Sequence, residues 1–301
     1  MKRVAFILLL WASFANAQSK SIVFIHHSTG SVLTGSREGY SSEPDYYVHT
    51  QIPTVLDSLD TLNGTTTTFR HHDRDSYNAL WWYQSDGGGS WTNEIYESAW
   101  CANNVGFQSH SGGAGGVTGN SPSRWYGIFC AGHFPTLKNR ILGLSGYDDY
   151  DVIVLKESFQ DHEHIAMTDT LDTWKAYYTE MADTLSHYTN KEFIFIGPHP
   201  YRDSTDAPAA TRQLVRDWAD WQVGTWACMG TNINCFNWFN YLANETNDIK
   251  TEYQRASSAD NHANGTAGIR VGYEFAIFCY QVAHDLRTNL RHKWPYEVYH
   301  D

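Results

Sequence analysis

Positive charge is what this chain has least of. Its 301 residues carry 21 Lys and Arg against 33 Asp and Glu, for a formal charge of −12. Removing Lys2 and Arg3 with an amino-terminal leader makes it more acidic still. That balance disfavours nucleic acid and anionic membrane as partners, because both are bound through clustered cations. Long hydrophobic runs are also missing. Beyond the leader no stretch approaches the roughly 20 apolar residues that a membrane helix needs, so no membrane anchor is expected. Cysteine is sparse, at five residues, and the spacings do not resemble a zinc site. No cofactor or metal is expected. There is no internal repeat and no low-complexity linker. The length suits one α/β domain with a substantial core.

What is present begins with a leader. Lys2 and Arg3 precede a mostly apolar run from Val4 to Phe14, and Ala15-Asn16-Ala17 is a small-x-small cleavage site. Residues 1–17 therefore read as a secretory signal peptide, and 18–301 as a single exported domain, secreted or periplasmic. Export permits disulfides. Cys228 and Cys235 close a short loop and are the expected pair. Cys101 and Cys130 would clamp a central insertion, and Cys279, in an apolar helical run, reads as a buried free thiol. The 12 Trp and 19 Tyr are an unusual load, suited to core packing or to stacking on sugar rings.

Hydrophobic patterning gives the architecture. Ile22 to Ile25 and Val152 to Leu155 are continuous apolar runs of the kind found in strands buried on both faces. Lys191 to Pro198 reads as another strand ending in a Gly-Pro turn. Thr65 to Arg70 is a strand on β propensity, and Asn234 to Leu242 a short strand and turn. Between them, Gln51 to Leu62, Leu171 to Tyr188, Ala209 to Thr225 and Gly268 to Leu290 carry helical patterns. Strands alternating with helices imply βαβ units and a mostly parallel sheet.

One region departs from this pattern. Residues 80–135 contain Trp81, Trp82, Trp91, Trp100 and Trp125, with glycines at Gly87-Gly88-Gly89 and from Gly112 to Gly119. It reads as an ordered Gly/Trp-rich insertion outside the regular core, walling the active site or packing its own tryptophans. Just before it, His71-His72-Asp73-Arg74-Asp75 reads as a solvated loop near a cleft. Adjacent residues of an extended chain point to opposite faces, so these histidines do not readily share an ion. His162-Glu163-His164 is too short for a zinc motif and reads as a charged helix start or a cleft wall.

Two stretches carry chemistry. Ser21-Ile22-Val23-Phe24-Ile25-His26-His27-Ser28-Thr29-Gly30 is a buried strand that ends in a hydroxyl and a glycine. In open α/β sheets ligands bind at that carboxyl edge. A turn or helix cap is the plain alternative for Ser28 and Thr29. The second stretch, Ser258 to Gly268, sets Asp260 and His262 just before the closing helix. A histidine with a neighbouring carboxylate is what a nucleophilic serine requires from elsewhere in a fold.

Together these stretches resemble the SGNH (GDSL-like) hydrolase superfamily. His26-His27-Ser28-Thr29-Gly30 stands where that superfamily has its Gly-Asp-Ser block. His262-Ala263-Asn264 followed by Gly268 is similar to its His-Pro-Asn-x-x-Gly ending. The resemblance implies a three-layer α/β/α sandwich with a mostly parallel, flavodoxin-like sheet. It also implies a serine esterase acting through an acyl-enzyme, with Ser28 as nucleophile, His262 as base and acid, and Asp260 as orienter. Lys156-Glu157-Ser158-Phe159 stands where the family has Gly-x-Asn-Asp, so Ser158 takes the oxyanion-donor position in place of an amide. His27 stands where the family has Asp, and Asp260 lies one residue nearer the histidine than usual. His27, Lys156, Gln160, His72, Arg74 and Trp82 are the expected substrate wall. By family analogy the substrate is an acylated poly- or oligosaccharide. The alternatives are a His/Tyr polysaccharide lyase holding a uronate through Arg70, Arg74 or Lys156, and a non-catalytic carbohydrate-binding protein on the same fold.

Overall fold

The apolar run Ile22–Ile25 forms the middle of β1 (Ser19–His26), with each of its four residues at most 3% exposed. A computed structural model describes this strand within residues 18–26, 30–34, 51–74, 80–85, 91–96, 124–132, 135–156, 171–255 and 262–286. The further strands are β2 (Thr66–Arg74), β3 (Leu80–Ser85), β4 (Trp91–Tyr96), β5 (Val152–Lys156), β6 (Glu192–Ile196) and β7 (Ile233–Phe236). Among the described residues they form one sheet in the order β4-β3-β2-β1-β5-β6-β7. β2, β1, β5, β6 and β7 run parallel, while β3 and β4 are antiparallel additions beyond β2. Counted alone, the parallel strands follow the flavodoxin-like order, whose switch point lies between β1 and β5.

The helices are α1 (Ser31–Thr34), α2 (Ile52–Asn63), α3 (Arg124–Phe129), α4 (Pro135–Ile141), α5 (Leu171–Ser186), α6 (Ala209–Gly224), α7 (Trp238–Leu242) and α8 (Gly265–Ala283). Strand alternation divides them into two layers. Ile22, Phe24, Phe69, Val152, Val154 and Ile194 face α1, α2 and α8. Val23, Ile25, Ile153, Leu155, Phe193 and Phe195 face α3, α4, α5 and the buried Trp218 of α6. The result is an α/β/α sandwich. α2 stops where Gly64 takes a left-handed conformation, φ 65°, that a side chain would resist. α8 starts three residues before the expected Gly268, because the Asn264 side chain caps it by accepting from the Ala267 N–H.

The insertion is more regular than its composition suggested. Leu80–Ser85 and Trp91–Tyr96 are paired strands, and the Gly87–Gly89 cluster falls between them. Trp81, Trp82 and Tyr83 are strand-forming residues, and the edge of β2 offered them a ladder. Trp125 lies on α3 and is core, 3% exposed. Residues 97–123 lie outside the described residues. β2 likewise runs on to Arg74, so His71, His72 and Asp73 belong to a strand paired on both sides and do not form a solvated loop. The stretch after Asn234 holds α7 in place of a turn.

Tryptophan serves the core first. Trp125, Trp174, Trp218, Trp226 and Trp238 are buried and Trp221 is half-buried. Trp174, Tyr178, Trp218 and Trp226 pack edge to face or stacked behind β6. The expected Cys228–Cys235 disulfide is not formed: both are free thiols. Cys235 is buried in β7, whereas Cys228 is exposed in the short 3-10 turn after α6 with its thiol toward the Gly224 carbonyl. Cys130 and Cys279 are also free, Cys279 within α8 as expected; Cys101 lies outside the described residues.

Candidate functional site

The carboxyl edge of the parallel strands gathers the chemistry. β1 and β5, the strands flanking the switch point, pair Ile25 with Leu155 and end one residue later in His26 and Lys156. Both end residues are buried, at 4% and 5% exposed. By alternation each lies on the α8 side of the sheet, His26 with Phe24 and Lys156 with Val154. The Lys156 carbonyl accepts the indole N–H of Trp125 at 3.1 Å, which fixes the end of β5.

His26 is held from two sides. Its Nε2 lies 3.0 Å from Nδ1 of His71 on β2, a hydrogen bond in which one ring donates and the other accepts. The two rings stack at 5.1 Å, and the Phe24 ring lies 4.5 Å from that of His26. His71 is fully buried, and desolvation lowers its pKa to about 3, so it is neutral at ordinary pH. The chain leaves β1 at His26 and is back against that ring at Gly30. A Cβ on Gly30 would stand 2.4 Å from His26 Cβ, a distance no side chain tolerates.

From Gly30 the chain enters α1, which lies on the first half of α8. A Cβ on Gly268 would sit 2.3 Å from the Val32 carbonyl oxygen, and one on Gly272 3.3 Å from that of Leu33. The glycine pair thus lets α1 approach α8 to backbone contact. The segment before α8 is pinned as well. Gln254 and Ala263 form an antiparallel bridge, and the Asn264 N–H donates to the Tyr253 carbonyl at 2.8 Å. Asn264 Nδ2 donates to the carbonyls of Glu252 and Gln254, and buried Arg255 donates from Nε to the Ala263 carbonyl at 3.2 Å. His262 stands half-buried at the head of this clamp.

β6 contributes His199, which follows its Gly-Pro turn and is fully buried. Its Nδ1–H donates to the Pro200 carbonyl at 2.6 Å. The ring lies 6.1 Å from that of Trp238 at the start of α7.

Of the residues expected to form the site, His262 and Lys156 are placed by both backbone and side chain. His72 and Trp82 are direct cross-strand partners in the β2–β3 ladder, His72 also pairs with Ile25, and Arg74 pairs with Leu80. Ser28, His27, Ser158, Gln160 and Asp260 lie outside the described residues, as do His162, Glu163 and His164. Among the described residues no three His, Cys, Asp or Glu side chains gather as metal ligands. His26, His71 and His199 were not expected in the site. The signal for the first two was available: Ile22-Phe24-His26 and Phe69-His71 continue a period of two onto the core face.

No family model matches the chain, and no curated protein matches it. Among the described residues no helix is long and apolar enough to cross a membrane.

Proposed function

We propose that the protein is an exported serine esterase of the SGNH type, taking Ser28 as nucleophile, His262 as general base and acid, and Asp260 as the orienting carboxylate. The observation that carries this proposal is the physical link between the two ends of the chain. The strand that precedes Ser28 ends at the switch point, and the residues that follow it pack through α1 onto the helix headed by His262. That link supports a reading in which residues far apart in sequence serve one edge, where ligands of open α/β sheets bind.

In the proposed reaction His262 takes the Ser28 proton as the hydroxyl oxygen attacks the ester carbonyl. The alcohol leaves with that proton, and water then releases the acid from the acyl-enzyme. Ser158 and the main chain after β1 would serve the oxyanion, a contribution of about 2.7–4 kcal/mol per donor. Lys156, buried at the end of β5, supports this edge as the place for a substrate dipole or charge. An acylated carbohydrate is the proposed substrate. The buried tryptophans lend that choice no support; Trp82, the cross-strand partner of His72, is its proposed stacking residue. A fluorophosphonate probe tests the nucleophile: labelling on the peptide containing Ser28 is expected. An active esterase labelled elsewhere, or not at all, would overturn the assignment.

A further inference from the structure

We infer that His26, oriented by His71, is a positioning residue that holds Gly30 at the entry to α1, and that it acts through this on the reactivity of Ser28. The inference rests on the serine-esterase proposal for its consequence, but its geometry lies wholly in His26, His71, Gly30 and α1.

An apolar pair could fill this space at lower cost. Two imidazoles are instead buried side by side, one of them fully and kept neutral by desolvation. What an imidazole offers that a leucine does not is direction. The bond from Nε2 to His71 Nδ1, 3.0 Å long, sets the rotation of the His26 ring about its Cβ–Cγ bond. The opposite side of the ring meets Gly30: a Cβ there would stand 2.7 Å from Cγ and 2.8 Å from Nδ1. The hydrogen bond on one side therefore holds the surface on which the main chain rests on the other. The far end of that chain is equally fixed, because Val32 and Leu33 carbonyls lie against Gly268 and Gly272 of α8. His26 thus sets one end of a three-residue span whose other end is tied to the helix that follows His262.

The consequence is separable from stability. Loosening the ring shifts Gly30 without opening the core, since Phe24, Phe69 and Phe275 still pack beneath it. A misplacement of about 1 Å is worth on the order of a hundredfold in rate.

The test compares His26→Leu and His71→Leu, which keep bulk but lose the bond, with His26→Gln, which keeps a nitrogen within reach of His71. Four quantities are measured on the full chain. They are the fluorophosphonate labelling rate at Ser28, kcat and KM for p-nitrophenyl acetate, amide exchange over residues 27–34, and the melting temperature. Both leucine variants are expected to lower kcat and labelling by roughly tenfold to a hundredfold, with KM held within about twofold. Exchange in residues 27–34 should quicken by more than in the rest of the fold, whatever melting temperature the imidazole left unpaired costs, and His26→Gln should recover part of the rate. Folded leucine variants with parent labelling and parent exchange would overturn the inference. If the parent protein is not labelled, the esterase proposal fails by itself. The exchange comparison then decides the positioning role: faster exchange upholds it and unchanged exchange ends it.

Discussion

The two edges of the sheet treat polar groups differently. At the amino edge the described carboxylates are met by donors. Asp151 accepts from the Ser21 N–H at 2.8 Å, the Ser21 hydroxyl at 2.9 Å and Lys20 at 3.2 Å. Lys191 pairs with Asp149 and donates to the Tyr150 carbonyl at 2.9 Å. Asp60 accepts from the Thr67 N–H and from the hydroxyls of Thr65 and Thr67, and Thr67 Oγ1 also lies 2.9 Å from Nε2 of His284. At the carboxyl edge the described buried polar groups are the imidazoles of His26, His71 and His199 and the ammonium of Lys156. Burying such groups costs stability that an apolar side chain would not forfeit. The amino edge holds the strands in register, and on the proposal above the carboxyl edge carries groups kept for the site.

The largest effect expected from that contrast is on turnover. Ser28→Ala and His262→Ala should each lower ester hydrolysis by at least about 10³-fold, and the double variant should be scarcely worse than either. Melting should stay near the parent value. Additive losses would mean that the two residues do not act as one unit. Full ester hydrolysis in Ser28→Ala would move the nucleophile elsewhere, and no ester hydrolysis in the parent would move the reading to a His/Tyr lyase or a binding protein.

The next effect is on stability against pH. The unfolded chain takes a proton on His71 near pH 6.5, whereas the native state resists it down to about 3 because the ring is desolvated. Stability therefore declines as pH falls below 6.5 and stops declining from this source near 3. By pH 5 the loss is about 2 kcal/mol. His71→Leu should flatten that part of the profile, measured by urea unfolding between pH 7 and 4, while lowering turnover as argued above. A parallel profile in the variant would show that His71 is not the group responsible. Gain of acid stability with loss of activity in one substitution is the sharpest form of the contrast between the edges.

Asp151→Ala is the reciprocal experiment. Burial raises the Asp151 pKa, but hydrogen bonds from Ser21 and Lys20 outweigh it and leave it below the usual value. Its contribution is thus complete above about pH 4 and is lost as pH falls through the native pKa. Removal should cost about 1–2 kcal/mol at pH 7, since the Ser21 N–H loses its acceptor. kcat per folded molecule should not change. A large fall in kcat would mean that the amino edge, too, shapes the site.

β1, β5 and β6 were legible because each is a short continuous apolar run, β2 because its threonines favour a strand, and the helices because their apolar positions recur at helical spacing. β3 and β4 were not, since glycine-flanked tryptophan runs give no clear period and gain their order only by adding to β2. The Cys228–Cys235 pairing was read from sequence distance, which carries no information on whether one thiol sits in a strand and the other on an exposed turn. His71 looked solvated because four polar residues, His72 to Asp75, follow it; its burial is foreshadowed by Phe69 two positions earlier. Gly268 was legible as part of a motif. Its physical task, admitting the Val32 carbonyl, depends on a helix more than 230 residues away and cannot be read locally.

The smallest effect divides the amino edge itself. Asp151 makes two kinds of interaction: hydrogen bonds with the Ser21 main chain and hydroxyl, and an ion pair with Lys20 whose side chains are 23% and 36% exposed. Exposed pairs of this type are screened by salt and pay for ordering a long side chain, so they contribute only roughly 0.2–1 kcal/mol. Lys20→Ala should therefore cost less than Asp151→Ala, and its cost should shrink further at about 1 M salt, where screening acts within about 3 Å. The Asp151→Ala cost should keep most of its size there, because the Ser21 N–H still lacks its acceptor. Urea unfolding of both variants at low and high salt reads the difference directly. Equal costs at both salt concentrations would mean that Lys20 holds Asp151 in place for Ser21, and that the ion pair and the hydrogen bonds form one cooperative unit.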